Sequence, residues 1–325
     1  MMAITEKQKK SLIAAVVVLA AVLPPFINND YILRVLTIAG VFTILTLSLN
    51  LVTGYTGQFC LGWAAFYGIG AYTSALLAMK LGFSFWLALP LGGVMAAAFG
   101  ILLGIPTLRL KDIYLAITTL GFGEIIRLIM LNWTDLTRGS MGLPGIPSPR
   151  LFGYEFSSNL PYYYLILVLV LITVFTMHRL IDSRLGRALI AIREDDLAAK
   201  TAGIDITAYK VMAFAIGAFF AGIAGSFYAH YTSFIDPHTF SFMESISILA
   251  MVVLGGMGSI TGSIIGALIL SIIPEMLRGL SEYRMIMYGL IMMAVMILRP
   301  QGIMGKGREF ARSAGKMRTR GGGRA

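Results

Sequence analysis

Residues 240–276 read FSFMESISILAMVVLGGMGSITGSIIGALILSIIPEM. The tract is apolar except where GGMGSITG interrupts it at 255–262. As one straight helix it would run about 55 Å, against a bilayer core of about 30 Å. Two shorter helices flanking a Gly-rich break fit better. The choice sets the parity of the whole chain, because it decides on which side of a membrane the C-terminal residues fall.

The rest of the chain is equally apolar. It is 57% hydrophobic and 13% charged, with a mean hydropathy of +0.81; soluble domains carry about 25% charged residues. In lipid, backbone polar groups must be satisfied within the chain, so long apolar runs are read as helices. The spans are 11–27, 32–53, 59–79, 84–106, 112–131, 161–178, 211–231, 240–256, 260–276 and 285–298. The expected fold is an all-α polytopic membrane protein of about ten transmembrane helices. Residues 1–300 form the transmembrane domain and 301–325 a basic tail.

Charge bias orients it. Of 26 Lys and Arg residues, 19 lie in 1–10, at Arg109 and Lys111, in 179–210 and in 299–325. Positive residues collect on the cytoplasmic side, so these regions and both termini are placed there, which requires an even number of spans. The stretch 132–160 becomes the main external loop. The net charge of +10 then follows from this bias and needs no nucleic acid; the tail can touch anionic lipid heads. The N-terminal apolar run after Lys7, Lys9 and Lys10 reads as an uncleaved first span, since removing it as a signal peptide would leave an odd number.

Much chemistry is missing. No phosphate-binding G-x-x-x-x-G-K-[ST] occurs, and Gly305-Lys306 and Gly315-Lys316 lack its other residues. His178, His230 and His238 are too scattered for a metal site. Cys60 is the lone cysteine and reads as a small packing residue. No cofactor is expected on this chain and no catalytic residue is assigned.

Ionisable groups inside a membrane mark candidate paths. Glu124 and Arg127 are three apart in the fifth span, so they share a helix face and neutralise each other. They line a path or gate, or they form a structural pair near the outer interface, which one self-compensated pair favours. Small residues recur at helix-contact spacing: Ala64, Gly68, Ala71 and Ala75; Gly217, Ala221 and Gly225; Ser263, Ala267 and Ser271 beside Gly262 and Gly266. Two Gly-rich breaks stand apart from these: Gly54-Tyr55-Thr56-Gly57-Gln58 and Gly255-Gly256-Met257-Gly258-Ser259. Such breaks line cavities in transporters or are tight turns at the surface. Tyr55, Gln58 and Phe66 are candidate lining groups. The Gly/Pro-rich 137–147 either gates the outer mouth or simply connects.

The remaining anomaly is a charged island, DSRLGRALIAIREDDLAAKTAGIDITAYK at 182–210. Leu185, Ala188, Leu189 and Ile192 fall at i, i+3, i+4 and i+7, one face of a helix. An amphipathic helix at the cytoplasmic boundary follows, either an anchor or a docking element. Within it, Leu197-Ala198-Ala199-Lys200-Thr201-Ala202-Gly203 resembles the E-A-A-x-x-x-G loop of ABC-type importer permeases. The two Ala and the Gly match; Leu197 stands where that motif has Glu, and Asp196 lies one earlier.

The chain resembles the permease subunits of branched-chain amino acid importers, LivM-type, over nearly its whole length. Asn50–Gly62, Thr118–Arg127, Ser183–Gly203 and Leu254–Gly266 carry the likeness. It implies pairing with a second, LivH-type permease, two cytoplasmic ATPase subunits using ATP and Mg, and a periplasmic binding protein, in a bacterial inner membrane. It implies two five-helix halves of opposite orientation, although no clean repeat is visible. The 182–210 loop would then be the coupling element, with Gly186, Arg187, Arg193, Glu194, Ala198, Ala199 and Gly203 at the ATPase contact. The path or gate would take Tyr55, Gly57, Gln58, Phe66, Glu124, Arg127, Gly255, Gly256 and Gly258. Other readings are a permease for urea or short amides, a stand-alone ion-coupled carrier and an intramembrane enzyme. A carrier would work alone under an ion gradient.

Overall fold

The computed structural model describes residues 29–107, 110, 112–151, 154–276, 289, 293 and 302–304. The predicted first span, nearly all of the tenth, Arg109, Lys111 and most of the basic tail lie outside the described residues. Spans two to nine each appear as a helix: α1 Asp30–Thr56, α2 Trp63–Leu81, α3 Phe85–Thr107, α4 Asp112–Asn132, α6 Asn159–Asp182, α9 Ile206–Thr232, α10 Phe242–Gly255 and α11 Ile260–Met276. Short helices α5 Thr134–Thr137, α7 Arg184–Glu194 and α8 Asp196–Thr201 occupy the connections. So do the two-residue strands β1 Leu143–Pro144, β2 Arg150–Leu151, β3 Tyr154–Glu155 and β4 Phe234–Ile235. The fold is all-α, and five helices are long and apolar enough to cross a membrane: Asp30–Thr56, Phe85–Pro106, Ile113–Asn132, Asn159–Asp182 and Ile206–Thr232.

The tract 240–276 splits as its glycines dictate. α10 has 14 residues, about 21 Å, and so is too short to span a bilayer core alone. It ends where Gly256 takes φ 108. After a turn at 257–258, α11 runs back beside it. The two backbones nearly touch: a Cβ on Gly255 would lie 2.1 Å from the Gly262 carbonyl oxygen. Only small residues permit that approach.

α9 is the centre of the bundle and packs on α3, α2 and α1. Its small-residue stripe serves these contacts. A Cβ on Gly225 would meet the Tyr67 carbonyl oxygen at 1.9 Å, and Ala221 is fully buried. The small residues predicted at helix contacts in α2 and α11, such as Ala71, Ala75, Ser263 and Ala267, are likewise buried.

The chain reverses direction at two opposite ends. At one, the 133–158 connection folds down onto the α9–α10 junction. β1 pairs antiparallel with β4, and the Gly145 and Ile146 amides donate to the Ser233 carbonyl. His230 in α9 bonds the Pro147 carbonyl through Nδ1 at 2.7 Å and meets Ser74 Oγ through Nε2 at 2.9 Å. The segment predicted as an external loop is therefore tied into the bundle. At the other end lie α7 and α8, reached after the 24 residues of α6.

Candidate functional site

The charged island forms two capped helices. Ser183 caps α7, its Oγ accepting from the Leu185 and Gly186 amides. Asp195 caps α8 by accepting from Leu197 and Ala198, and Asp205 caps α9 by accepting from Ala208. Each side chain fixes the start of its helix, and a single residue separates α6 from α7 and α7 from α8, which keeps the island stiff. Gly186 lets α7 turn against the end of α6, since a Cβ there would sit 2.1 Å from the Ile181 carbonyl oxygen. Arg187 Nη1 donates to the Asp182 carbonyl at 2.9 Å, and Lys210 pairs with Asp196 at 3.0 Å.

The amphipathic reading of α7 holds in three dimensions. Ala188, Leu189 and Ile192 are buried against the bundle. Ile190, Glu194, Leu197 and Ala198 lie on the open surface with Arg187, while Ala199 is buried. Leu197 is 72% exposed, so the residue standing in place of the motif's Glu presents an apolar side chain outward. Gly203 has φ +83, and among the described residues no atom lies within 4 Å of the place a Cβ would take. Its left-handed backbone, rather than crowding within this chain, requires glycine.

The two Gly-rich breaks, far apart in sequence, meet beneath α7. Arg193 donates from Nη1 to the Gly54 carbonyl. Its side-chain carbons lie over Gly57, where a Cβ would approach to 3.3 Å, and its Nη1 lies 2.8 Å from the Cβ position of Gly258. Asn50 completes the junction. Its Oδ1 accepts from the Gly258 amide at 2.8 Å, and its Nδ2 donates to the Ser259 carbonyl at 3.3 Å. The described C-terminal residues also dock here, the Ile303 and Met304 amides donating to the Leu254 and Gly255 carbonyls. Asn50 is not among the site residues that the sequence suggests. A buried amide inside an apolar span is its signal, because it must find partners there.

The first break is more than a turn. Gly57, with φ 73, ends α1, and residues 57–62 climb back beside it. The Trp63 indole donates to Ser48 Oγ at 2.9 Å, two turns before the end of α1, so α2 begins beside α1 rather than beyond its end. The Leu61 amide donates to Thr119 of α4 at 3.0 Å. The start of α10 lies at the same depth, because Ser245 Oγ accepts from the Ala64 amide at 2.9 Å. Two helix N-termini thus converge inside the bundle, beside a small pocket lined by Leu61, Ala65, Leu120, Glu124, Phe242 and Ser245.

Of the proposed path residues, Tyr55 and Gln58 are buried at the first break, and Gln58 Oε1 accepts from Thr56 Oγ1 at 3.2 Å. Phe66 is fully buried in the core, between Trp63 and Phe122. Glu124 and Arg127 form the expected pair, Nε donating to both carboxylate oxygens at 3.1 and 3.0 Å. Gly255, Gly256 and Gly258 form the second break. Among the described residues, no group of three His, Cys, Asp or Glu side chains could hold a metal ion.

Residues 31–297 match the family described as "Branched-chain amino acid transport system / permease component". The chain is 44% identical to the high-affinity branched-chain amino acid transport system permease protein LivM of Escherichia coli (strain K12), over 92% of this chain and 76% of that protein. It is 26% identical to the corresponding LivH of Salmonella typhimurium, over 83% of this chain and 93% of that protein. It is 28% identical to the autoinducer 2 import system permease protein LsrC of Enterobacter sp. (strain 638), over 83% and 76%. No solved structure matches.

Proposed function

The chain belongs to the branched-chain amino acid transport permease family, and from that membership we propose that it is one of two membrane subunits of an ATP-driven importer of leucine, isoleucine and valine. It is a permease subunit and not itself an enzyme. The 44% identity to a branched-chain amino acid permease, against 28% to an autoinducer permease, supports amino acids as the cargo.

The assembly has four further parts. A LivH-type permease pairs with this chain, two ATPase subunits bind ATP and Mg on the cytoplasmic face, and a receptor delivers substrate outside. Ten spans with both termini inside agree with the positive-inside bias and place α7–α8 in the cytoplasm. Arg187, Glu194, Ala198 and Gly203, with Leu197, form the face that meets the ATPase.

One observation carries this reading: Arg193 of α7 is seated between the two Gly-rich breaks. An ATPase pushing on α7 would move the end of α1 and the α10–α11 turn together. Both lead to helix N-termini inside the bundle, where close-packed elements switch between discrete arrangements. The test is association. Co-purification of the ATPase subunits with this chain should be lost on Leu197→Arg, which puts a bulky positive charge on the exposed apolar contact, at the position where the importer motif carries Glu. Undiminished co-purification overturns the docking assignment.

A further inference from the structure

Glu244 lies in the first turn of α10, inside an apolar helix. Its sequence context, Ser241-Phe242-Met243-Glu244, has the form of a capping box, in which Glu reaches back to the helix start. The structure does not use it so. Ser241 makes no side-chain cap bond. Among the described residues, no hydrogen bond or ion pair reaches the Glu244 carboxylate, although the residue is partly buried. A carboxylate at this depth without a partner is costly, and such groups in membrane proteins mark functional sites.

Aromatic residues cluster around the start of α10. The next residue, Ser245, is bonded to the start of α2. Four residues earlier, before α10 begins, the Phe240 ring lies 5.0 Å from Tyr67, and Tyr67 lies 5.5 Å from Tyr228. Glu244 is within electrostatic range of both tyrosine hydroxyls. Phe240 also contacts Tyr72, at 6.0 Å between ring centroids. A carboxylate with two tyrosines in electrostatic range fits a small organic cation, because aromatic faces and carboxylates both attract one.

We propose that Glu244, with Tyr67 and Tyr228, receives the primary ammonium group of the transported amino acid on its way through the bundle. This deepens the importer reading and rests on it. The carboxylate accepts from the ammonium, the rings shield the contact from water, and no covalent step is involved. A cargo lacking the ammonium gains nothing at Glu244.

The test is saturation-transfer NMR on the purified permease pair, without receptor. Leucine is compared with 4-methylpentanoate, which keeps the branched chain and the carboxylate but has no ammonium. The wild type should give a leucine signal and Glu244→Gln should weaken leucine binding about tenfold or more, the scale of one charged hydrogen bond. 4-Methylpentanoate should bind weakly and equally to both. Glu244→Asp, which keeps the charge, should restore leucine binding. Equal binding of the two ligands overturns the site, and so does leucine binding unchanged in Glu244→Gln. Failure of Glu244→Gln to assemble with the companion permease also overturns it, since the charge would then hold the bundle together. ATP-driven leucine uptake by the complete wild-type importer is measured in parallel. Its absence contradicts the importer reading, whereas uptake with no effect of Glu244→Gln contradicts only the site.

Discussion

The guanidinium of Arg193 donates to the backbone carbonyl of Gly54, joining a surface helix to the last turn of a buried one. The same side chain rests on Gly57 and reaches the Cβ position of Gly258. One residue of α7 is therefore in contact with two reversals of the chain about 200 residues apart, which Asn50 binds to each other.

If this contact transmits force, Arg193→Ala should separate docking from transport. A charge-assisted hydrogen bond is worth about 1.5–3 kcal/mol when buried, and partial exposure lowers that. Leucine uptake by the reconstituted importer should fall about three- to tenfold, while the ATPase subunits still co-purify with the variant. Arg193→Lys should recover part of the uptake.

Gly54 and Gly258 should tolerate no side chain. Gly258 has φ +80 and Gly54 would place a Cβ 1.9 Å from Asn50 Oδ1 and 2.4 Å from the Gly258 amide nitrogen. Gly54→Ala must break the Asn50 bond to Gly258, and we expect a loss of about 1–3 kcal/mol from the overpacking. The purified complex should melt at a lower temperature. Gly121→Ala, with no atom within 4 Å of its Cβ position, should leave the melting temperature unchanged or raise it slightly.

Gly203 distinguishes crowding within the chain from crowding by a partner. Its φ of +83 makes Gly203→Ala cost about 1–2 kcal/mol, yet none of the described residues fills the space. Gly203→Trp should leave the permease folded, by size-exclusion chromatography, and abolish ATPase binding. Retained binding would show that no partner approaches this point.

His230 ties the 143–149 segment to the bundle through Pro147 and Ser74. With the Pro147 carbonyl as acceptor, Nδ1 carries the proton and Nε2 accepts from the Ser74 hydroxyl. Removing both bonds in His230→Ala should free that segment. Hydrogen exchange of the Gly145 and Ile146 amides should quicken several-fold, and exchange in α4 should not change.

Much of this is legible in the residues. Apolar length and Gly spacing locate the helices, because a membrane leaves few ways to satisfy a backbone. The periodicity of Leu185, Ala188, Leu189 and Ile192 gives the buried face of α7. What cannot be read is which distant segments touch. Gly54 and Gly258 look like two separate breaks, since a glycine carries no sign of the side chain that will lie against it. Arg193 looks like one charge among several on a solvated helix. Phe66 shows the converse: its place beside a break suggests a lining group, and it is fully buried between Trp63 and Phe122. Glu244 is hidden by its resemblance to a capping residue in an otherwise apolar run.

Whether this chain moves amino acids with work received through α7 is decided by leucine uptake into proteoliposomes holding this chain, its companion permease and the ATPase subunits, with loaded receptor outside and ATP inside. Uptake should require ATP and every subunit, and this chain alone should give none under a proton or sodium gradient. Accumulation of leucine by the chain alone, driven by an ion gradient, would rule out an ATP-driven importer.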